Sequence, residues 1–326
     1  AARAPLLRRN PPLRVCSNRQ FPWSPSLIAP RAALLAADRE HLMEHTAPLW
    51  REMAGSRLFI TGGSGFWGAC FLEAIATAND ELGVAVTATV LSRRPAEFAA
   101  EVPHLALRSE FDWLIGDAAT FAFPDRPYDY VCHFATAAAG VLAAGDPVLA
   151  MNTLAGTQRV LQFARHRGAR RLLLASSGAV YGRPATPRPF VEDCCCAPDP
   201  LAPASAYGEI KRMSELMCVL TPAVECVIAR GFAFLGPHLP LTDKFAVGSF
   251  LRDALDGRSI RIRGDGRPLR SYLYAADLVI WLLTILLRGR AGRAYNVGSD
   301  EAVSLAELAA EIAQAAGGIT PEIAHL

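Results

Sequence analysis

The chain is almost devoid of lysine: Lys211 and Lys244 stand against 31 arginines in 326 residues. Net charge is only +2, with arginine and acid interleaved through the body. No basic stripe with interspersed aromatics marks a nucleic-acid surface. No Cys-x-x-Cys pair occurs among the eight cysteines, whose one cluster is Cys194-Cys195-Cys196. Three consecutive residues cannot easily aim three thiolates at one tetrahedral centre, so no metal site is expected. The cysteines read instead as reduced thiols of a cytoplasmic α/β enzyme, with Cys132 small and buried in an apolar strand. The longest apolar run, Leu278 to Leu287, holds ten residues. A membrane span needs roughly 20, so this reads as a buried helix and no membrane partner is expected. Acid is missing from the first 37 residues, which hold six arginines and many prolines. Such a tail has the look of a mitochondrial transit segment. Its prolines break any amphipathic helix, and translated upstream sequence, a disordered or non-native tail over 1–37, is the favoured expectation.

What is present is ample core. Apolar residues make up 52% of the chain, far from a disordered composition. Residues 38–54 read as an amphipathic helix. From Arg57 onward strand and helix alternate, the signature of a parallel sheet covered on both faces. Strands are expected at 57–61, 84–92, 113–116, 128–135, 170–177 and 225–230, with helices clearest at 66–78, 146–167 and 205–220. After about residue 236 the rhythm loosens: a turn at Gly236-Pro237, a helix over 245–256, a buried helix from Ala276, extended Tyr295–Gly298, and a last helix opened by the capping box Ser304-x-x-Glu307. The expectation is a Rossmann-type doubly wound parallel sheet over 55–235 and a smaller C-terminal substrate-binding lobe over 236–326.

The most informative local feature is Gly62-Gly-Ser-Gly-Phe-Trp-Gly68, between an apolar strand and a helical pattern. Glycine at such a turn lets backbone approach a pyrophosphate, and the following helix N-terminus offers free N–H groups. Tight turns and close packing also select glycine, but the strand before and the helix after favour a dinucleotide. A second constellation lies downstream. Ser176-Ser177 end a strand, and Tyr207 and Lys211, four apart, share one helix face. A free tyrosine titrates near 10, so a useful base needs nearby positive charge. Lys211 together with an oxidised nicotinamide ring would supply it, and a serine hydroxyl would hold the same reacting oxygen.

These residues resemble the extended short-chain dehydrogenase/reductase family of nucleotide-sugar epimerases and dehydratases. The likeness rests on Thr61-Gly-Gly-Ser-Gly-Phe-Trp-Gly68, Gly116-Asp117, His133-Phe-Ala-Thr136, Asn152, Ser176-Ser-Gly-Ala-Val-Tyr-Gly182, Tyr207-Gly-Glu-Ile-Lys211, Arg230 with Gly236-Pro237, Arg270-Ser-Tyr-Leu-Tyr-Ala-Ala-Asp277 and Tyr295-Asn-Val-Gly298, over about residues 55 to 316. The resemblance implies that Gly62, Ser64, Gly65, Phe66, Trp67 and Gly68 cradle the pyrophosphate. It places Asp117 and Ala118 at the adenine, Phe134 to Ala138 (Ala135 and Thr136 among them) along the adenosine side, and Asn152 and Phe232 near the nicotinamide half. Ser177, Tyr207 and Lys211 would be the catalytic residues, with Tyr207 and Lys211 also touching the cofactor. Ser177, Gly178, Ala179, Ala233 and Arg270 would meet the substrate, Arg270 as a clamp on its diphosphate. A homodimer through helices 146–167 and 205–220 is also implied.

Departures from the family pattern narrow the reading. Dehydratases usually carry Asp-Glu directly after the catalytic Ser/Thr and decarboxylases keep a Glu there, but Gly178 and Ala179 fill those positions. Ala233 replaces a common asparagine. The family's members continue some tens of residues further, so a shortened C-terminal lobe is expected. At the end of the second strand, Ser92-Arg93-Arg94 stands where NAD enzymes place an acid for the ribose 2′-OH. Guanidinium there favours NADP, with NAD the alternative. The expected function is an NAD(P)-dependent C4 epimerase of a nucleotide-diphosphate sugar. A 4-ketoreductase comes next, then a 4,6-dehydratase. A dinucleotide sensor without chemistry is the reading from another class.

Overall fold

A computed structural model describes residues 34–136, 146–183, 189–243, 245–318 and 320–324. Most of the expected tail and Lys244 fall outside the described residues, as do Ala137 and Ala138. The first half of the chain forms α1 (Ala36–Glu52), β1 (Arg57–Thr61), α2 (Phe66–Leu82), β2 (Thr87–Ser92), α3 (Pro95–Glu101), α4 (Pro103–Ala106), β3 (Phe111–Ile115), β4 (Tyr130–His133), α5 (Pro147–His166) and β5 (Arg171–Ser177). There follow α6 (Ala206–Val219), β6 (Glu225–Gly231), β7 (Ala233–Leu235), α7 (Ala246–Leu255), β8 (Ile260–Arg263), β9 (Leu269–Arg270), β10 (Tyr272–Tyr274), α8 (Ala275–Arg288), β11 (Ala294–Val297), β12 (Val303–Ser304), α9 (Leu305–Ala315) and β13 (Pro321–Ala324).

Seven strands make one sheet in the order β3-β2-β1-β4-β5-β6-β11, every neighbouring pair parallel. The expected doubly wound fold is what forms. Successive strand residues alternate faces, and the core follows that period. Leu58 and Ile60 pack with Phe71 and Ile75 of α2 and Leu282 and Leu286 of α8. Phe59 turns to the other face against Phe163 of α5, ring centroids 4.2 Å apart. Burial on both faces is why these strands read as apolar runs. The strand order reverses between β1 and β4, which opens a crevice at their carboxyl ends.

Boundaries moved where side chains intervene. The strand expected from Val84 begins at Thr87, because the Asn79 amide both donates to and accepts from the Val86 backbone and Ala85 turns at a positive φ of 53°. The C-terminal part is also less separate than the composition implied. Helix α8 is buried along most of its length against the large sheet, and β11 extends that sheet as its edge, Ala294 opposite Ile228. An all-apolar helix needs a sheet face, and the open edge of β6 needs a partner. What remains apart is a small lobe of α7, β8 and α9 around Phe250, Ile260, Ile262 and Leu308. Its last helix carries the expected reciprocal cap between Ser304 and Glu307. Among the described residues no helix is long and apolar enough to cross a membrane.

One buried cluster ties these parts together. Oε1 of Glu73, on α2, accepts from His104 Nε2 at 2.7 Å and from His238 Nε2 at 2.9 Å. Burial pushes the Glu73 pKa up, but the two imidazole hydrogen bonds outweigh it and hold the carboxyl below the usual 4.5. A depressed carboxylate stabilises the fold above its unfolded pKa, and that stability disappears as pH falls through the folded value. Glu73→Gln is therefore expected to cost roughly 1–3 kcal/mol at pH 7. It should also flatten the acid limb below pH 4.5. Denaturation midpoints at pH 7 and along that limb measure both effects, and an unchanged acid limb would exclude this role.

Candidate active site

The glycine turn sits at the carboxyl end of β1, beside the strand-order reversal, and its glycines have different reasons to be glycine. Gly62 takes φ of +70°, and a Cβ there would lie 2.6 Å from the Ala135 nitrogen. A Cβ on Gly68 would meet the Gly63 Cα at 2.3 Å. These two let β1, α2 and the end of β4 close on one another. At Gly65 a Cβ would meet only the Gly62 oxygen, at 3.3 Å, so this glycine keeps the surface low where a ligand would lie. No side chain caps α2, whose N-cap is Gly65. The leading N–H groups of Phe66 and Trp67 are thus left to an anion. The turn fits a pyrophosphate.

Around it, Ser64 Oγ lies 3.3 Å from Ser92 Oγ, and the buried Ser92 accepts from the Arg94 nitrogen. Arg94 turns away to Glu97 in an exposed pair, whereas Arg93 is exposed with no carboxylate partner among the described residues. Asp117 folds onto its own turn, accepting from the Ala119 nitrogen at 2.9 Å, and Ala118 packs against Gly156 of α5. Phe134 is edge-on to Trp67 at 6.0 Å between centroids, and Ala135 donates from its nitrogen to the Thr61 hydroxyl. Thr136 follows Ala135 at the end of the described segment, and Asn152 is exposed on the second turn of α5.

The structure brings Ser177, Tyr207 and Lys211 together. Strand β5 ends at Ser177, whose Oγ accepts from the Ala179 nitrogen at 3.1 Å and whose hydroxyl lies near enough to Tyr207 to draw its pKa down. Helix α6 carries Tyr207 and Lys211 one turn apart. Its close approach to the 178–181 turn requires Gly208, where a Cβ would meet the Ala179 oxygen at 2.6 Å. The Lys211 ammonium lies 5.8 Å from the Tyr207 ring centroid. It donates to the Ala175 oxygen at 2.6 Å, however, and not to the phenol.

The side chains around Tyr207 do not by themselves acidify it; the expected depression also needs the positive charge of an oxidised nicotinamide. Burial raises the Tyr207 pKa, and the Ser177 hydroxyl opposes it only in part. Burial also drives the Lys211 ammonium down to about 8, against the pull of Glu215. The desolvation of both groups exceeds their mutual help at this separation. Burial, helped by the Lys211 charge, likewise keeps His133 neutral with a pKa down to about 3. Its ring bridges Thr61 Oγ1 at 2.7 Å and Thr157 Oγ1 at 3.2 Å, binding β1 to α5 behind the site.

A second network, unforeseen as a site, lies beside these residues. Glu215 continues the four-residue spacing of Tyr207 and Lys211. It accepts from Ser176 Oγ at 2.5 Å and from Arg230 through two parallel bonds of 2.9 and 2.6 Å. Arg230 also donates to the Tyr181 hydroxyl, which donates to Asn296. Burial works against the Arg230 charge, but Glu215 and Tyr181 hold its pKa above the usual value. Tyr181 stacks on Phe190 at 4.6 Å, and Phe232 lies over Gly178, where a Cβ would meet its ring at 2.4 Å. The spacing of Glu215 was visible in the sequence. Phe190 and Glu192 carry no local signal, since they lie in irregular chain over the site.

The remaining residues named from the sequence stand apart. Ala233 pairs with Tyr272, and Arg270 is exposed in the lobe, donating to the Leu269 oxygen. A cavity of about 890 Å³ lined by Glu192, Arg212, Leu216 and Arg293 lies across the Glu215–Arg230 pair, and reaches neither Ser177 nor the glycine turn. Cys194 and Cys196 are joined in a disulfide, Cα atoms 5.3 Å apart, which corrects the expectation of reduced thiols there. Residues two apart in extended chain face one side, so these two meet and Cys195 does not.

Comparison with known proteins agrees with this geometry. A family model described as the NAD dependent epimerase/dehydratase family matches residues 58–298. UDP-glucuronic acid decarboxylase 1 of Xenopus tropicalis is 30% identical over 266 residues, which cover 80% of this chain and 60% of the relative. An epimerase of Methanothermobacter thermautotrophicus superposes with a TM-score of 0.73 at 23% identity, covering 87% of this chain and 82% of the other. A UDP-glucuronic acid 4-epimerase of Bacillus cereus, solved with NAD, gives 0.67 at 21% identity, covering 82% and 87%. The chain spans 57–60% of the length of the first curated relatives it matches.

Proposed function

The chain belongs to the NAD dependent epimerase/dehydratase family, and from that premise we propose that it is a C4 epimerase of a nucleotide-diphosphate sugar. The observation that carries the reading is the gathering of the Ser177 hydroxyl at the end of β5 with the Tyr207 phenol and the Lys211 ammonium of one helix face. A nicotinamide dinucleotide would be held by the Gly62–Gly68 turn, with Phe134, Asn152 and Phe232 along its length and Lys211 at a ribose. When bound and oxidised it supplies a two-electron acceptor and a positive charge. Tyr207 Oη takes the proton of the substrate C4 hydroxyl and later returns one to the same oxygen. Ser177 Oγ holds that oxygen in line throughout. Arg270 is the reserve for the diphosphate. Arg93, free of a carboxylate and exposed, supports NADP over NAD.

Relatives named as decarboxylases favour a second reading, with loss of carbon dioxide in place of inversion. Against it stands the turn after Ser177. Gly178 is covered by the Phe232 ring, and neither it nor Ala179 offers a carboxylate to move a proton. The same lack weighs against dehydration. A homodimer is supported by exposed Val148 and Met151 of α5 and Met213, Leu216 and Val219 of α6, an apolar band that water disfavours.

The test is mass spectrometry of small molecules released on denaturing the purified protein, with turnover followed on a panel of nucleotide sugars. The expected result is bound NADP and interconversion of C4 epimers with no added reductant. Stoichiometric NADPH consumption would assign a ketoreductase, and released carbon dioxide a decarboxylase. A dinucleotide without turnover across the panel would overturn the enzymatic reading.

A further inference from the structure

The face where α1 meets α8, outside the crevice, holds an unassigned set of metal-ligating groups. His41, Glu44 and His45 lie within little more than one turn of α1, and one donor atom from each lies within 4.8 Å of the other two. The His41 and His45 rings are 4.5 Å apart between centroids, as the i, i+4 spacing requires. Asp277, in the first turn of α8, adds a carboxylate, its Oδ1 accepting from His41 Nε2 at 2.8 Å. With the Nε2 proton on Asp277, His41 keeps its lone pair on Nδ1. His45 Nδ1 donates to the His41 carbonyl at 2.9 Å, which leaves Nε2 as its basic nitrogen. Each imidazole therefore has one nitrogen fixed by a hydrogen bond and one open to a cation. A carboxylate behind a ligating histidine is the usual outer partner of a metal site.

We propose that His41, Glu44 and His45, with Asp277 orienting His41, bind one divalent transition ion of the zinc class. Two imidazoles and a carboxylate on one helix suit zinc or nickel and are poor ligands for magnesium or calcium. The ion would act beside an apolar seam of Leu42, Met43 and Trp50, where polar links also join α1 to α8. Asp38 meets Tyr274, His41 meets Asp277, and Glu52 meets Arg288. All three pairs have the same sequence offset of 236, so α1 and α8 run parallel and in register. An ion bound to His41 would strengthen the middle link and fasten the N-terminal half of α1 to the sheet's helical layer. This site is independent of the catalytic reading and stands or falls without it.

The test is calorimetric titration of the purified full chain with zinc chloride, repeated with nickel and magnesium chlorides, alongside hydrogen exchange of residues 36–52. Saturable uptake of one zinc ion per chain, with slowed exchange in α1, is expected, and magnesium should produce neither. His45→Ala removes an exposed ring from the surface of α1, so the fold should survive while uptake is lost. Asp277→Asn should weaken zinc by about 10–100-fold. No uptake by the unmodified chain, uptake unchanged in His45→Ala, or zinc bound without slower exchange in α1 would each overturn the proposal.

Discussion

Turnover falls by about 10²–10⁴-fold when Tyr207 is replaced by phenylalanine, while the dinucleotide stays bound. In the proposed reaction the phenol oxygen exchanges a proton with the substrate hydroxyl beside Ser177. The pyrophosphate turn is a separate piece of backbone and keeps its N–H groups. Steady-state rates and dinucleotide affinity, measured on the same preparation, separate the two effects. A variant with full turnover would end the proposed chemistry. The pH profile tests the electrostatics. Burial raises the Tyr207 pKa, so the deprotonated base gains population as pH rises. Lys211 loses its charge through about pH 8. The free protein thus holds both in their productive forms only as a minority, and kcat/KM should trace a bell whose limbs belong to the pair. A flat profile from pH 6 to 10 would show that neither group titrates in the reaction.

The second large effect is structural. Arg230→Met leaves the Glu215 carboxylate buried beside Ser176 without its hydrogen-bonded guanidinium, and should cost about 3–5 kcal/mol. Glu215 is only 9% exposed, so water cannot replace the guanidinium. The double variant Arg230→Met with Glu215→Leu removes both charges and should recover most of the loss. Chemical denaturation of the two variants measures the coupling, and an additive pair would mean that the doubled hydrogen bond contributes nothing. Tyr181 loses its donor in both, so its stacking on Phe190 should loosen and turnover fall even where stability returns.

Much of the protein could be read along the chain. The Gly62–Gly68 turn, the apolar strands and the Tyr207–Lys211 spacing each depend on neighbours within a few residues, where helix and strand periods are reliable. Those signals located the doubly wound sheet and the three residues that meet at the end of β5. Glu215 was legible in the same way, as one more step of four along α6, but nothing local showed that a carboxylate there would have Arg230 as its partner.

Tertiary structure decided what rests on distance. The fate of β11 turned on an open sheet edge contributed by residues more than sixty positions earlier. Phe232 covers Gly178, and His238 reaches Glu73 across 165 positions of chain; no period in the sequence encodes either. The desolvation of Tyr207 and Lys211 could not be read along the chain, because adjacency predicts attraction, whereas only packing reveals how much water each group has lost. Local order follows from short-range sterics and hydrogen bonds. Burial is a property of the whole assembly, and in a low-dielectric interior it outweighs the charge one helical turn away.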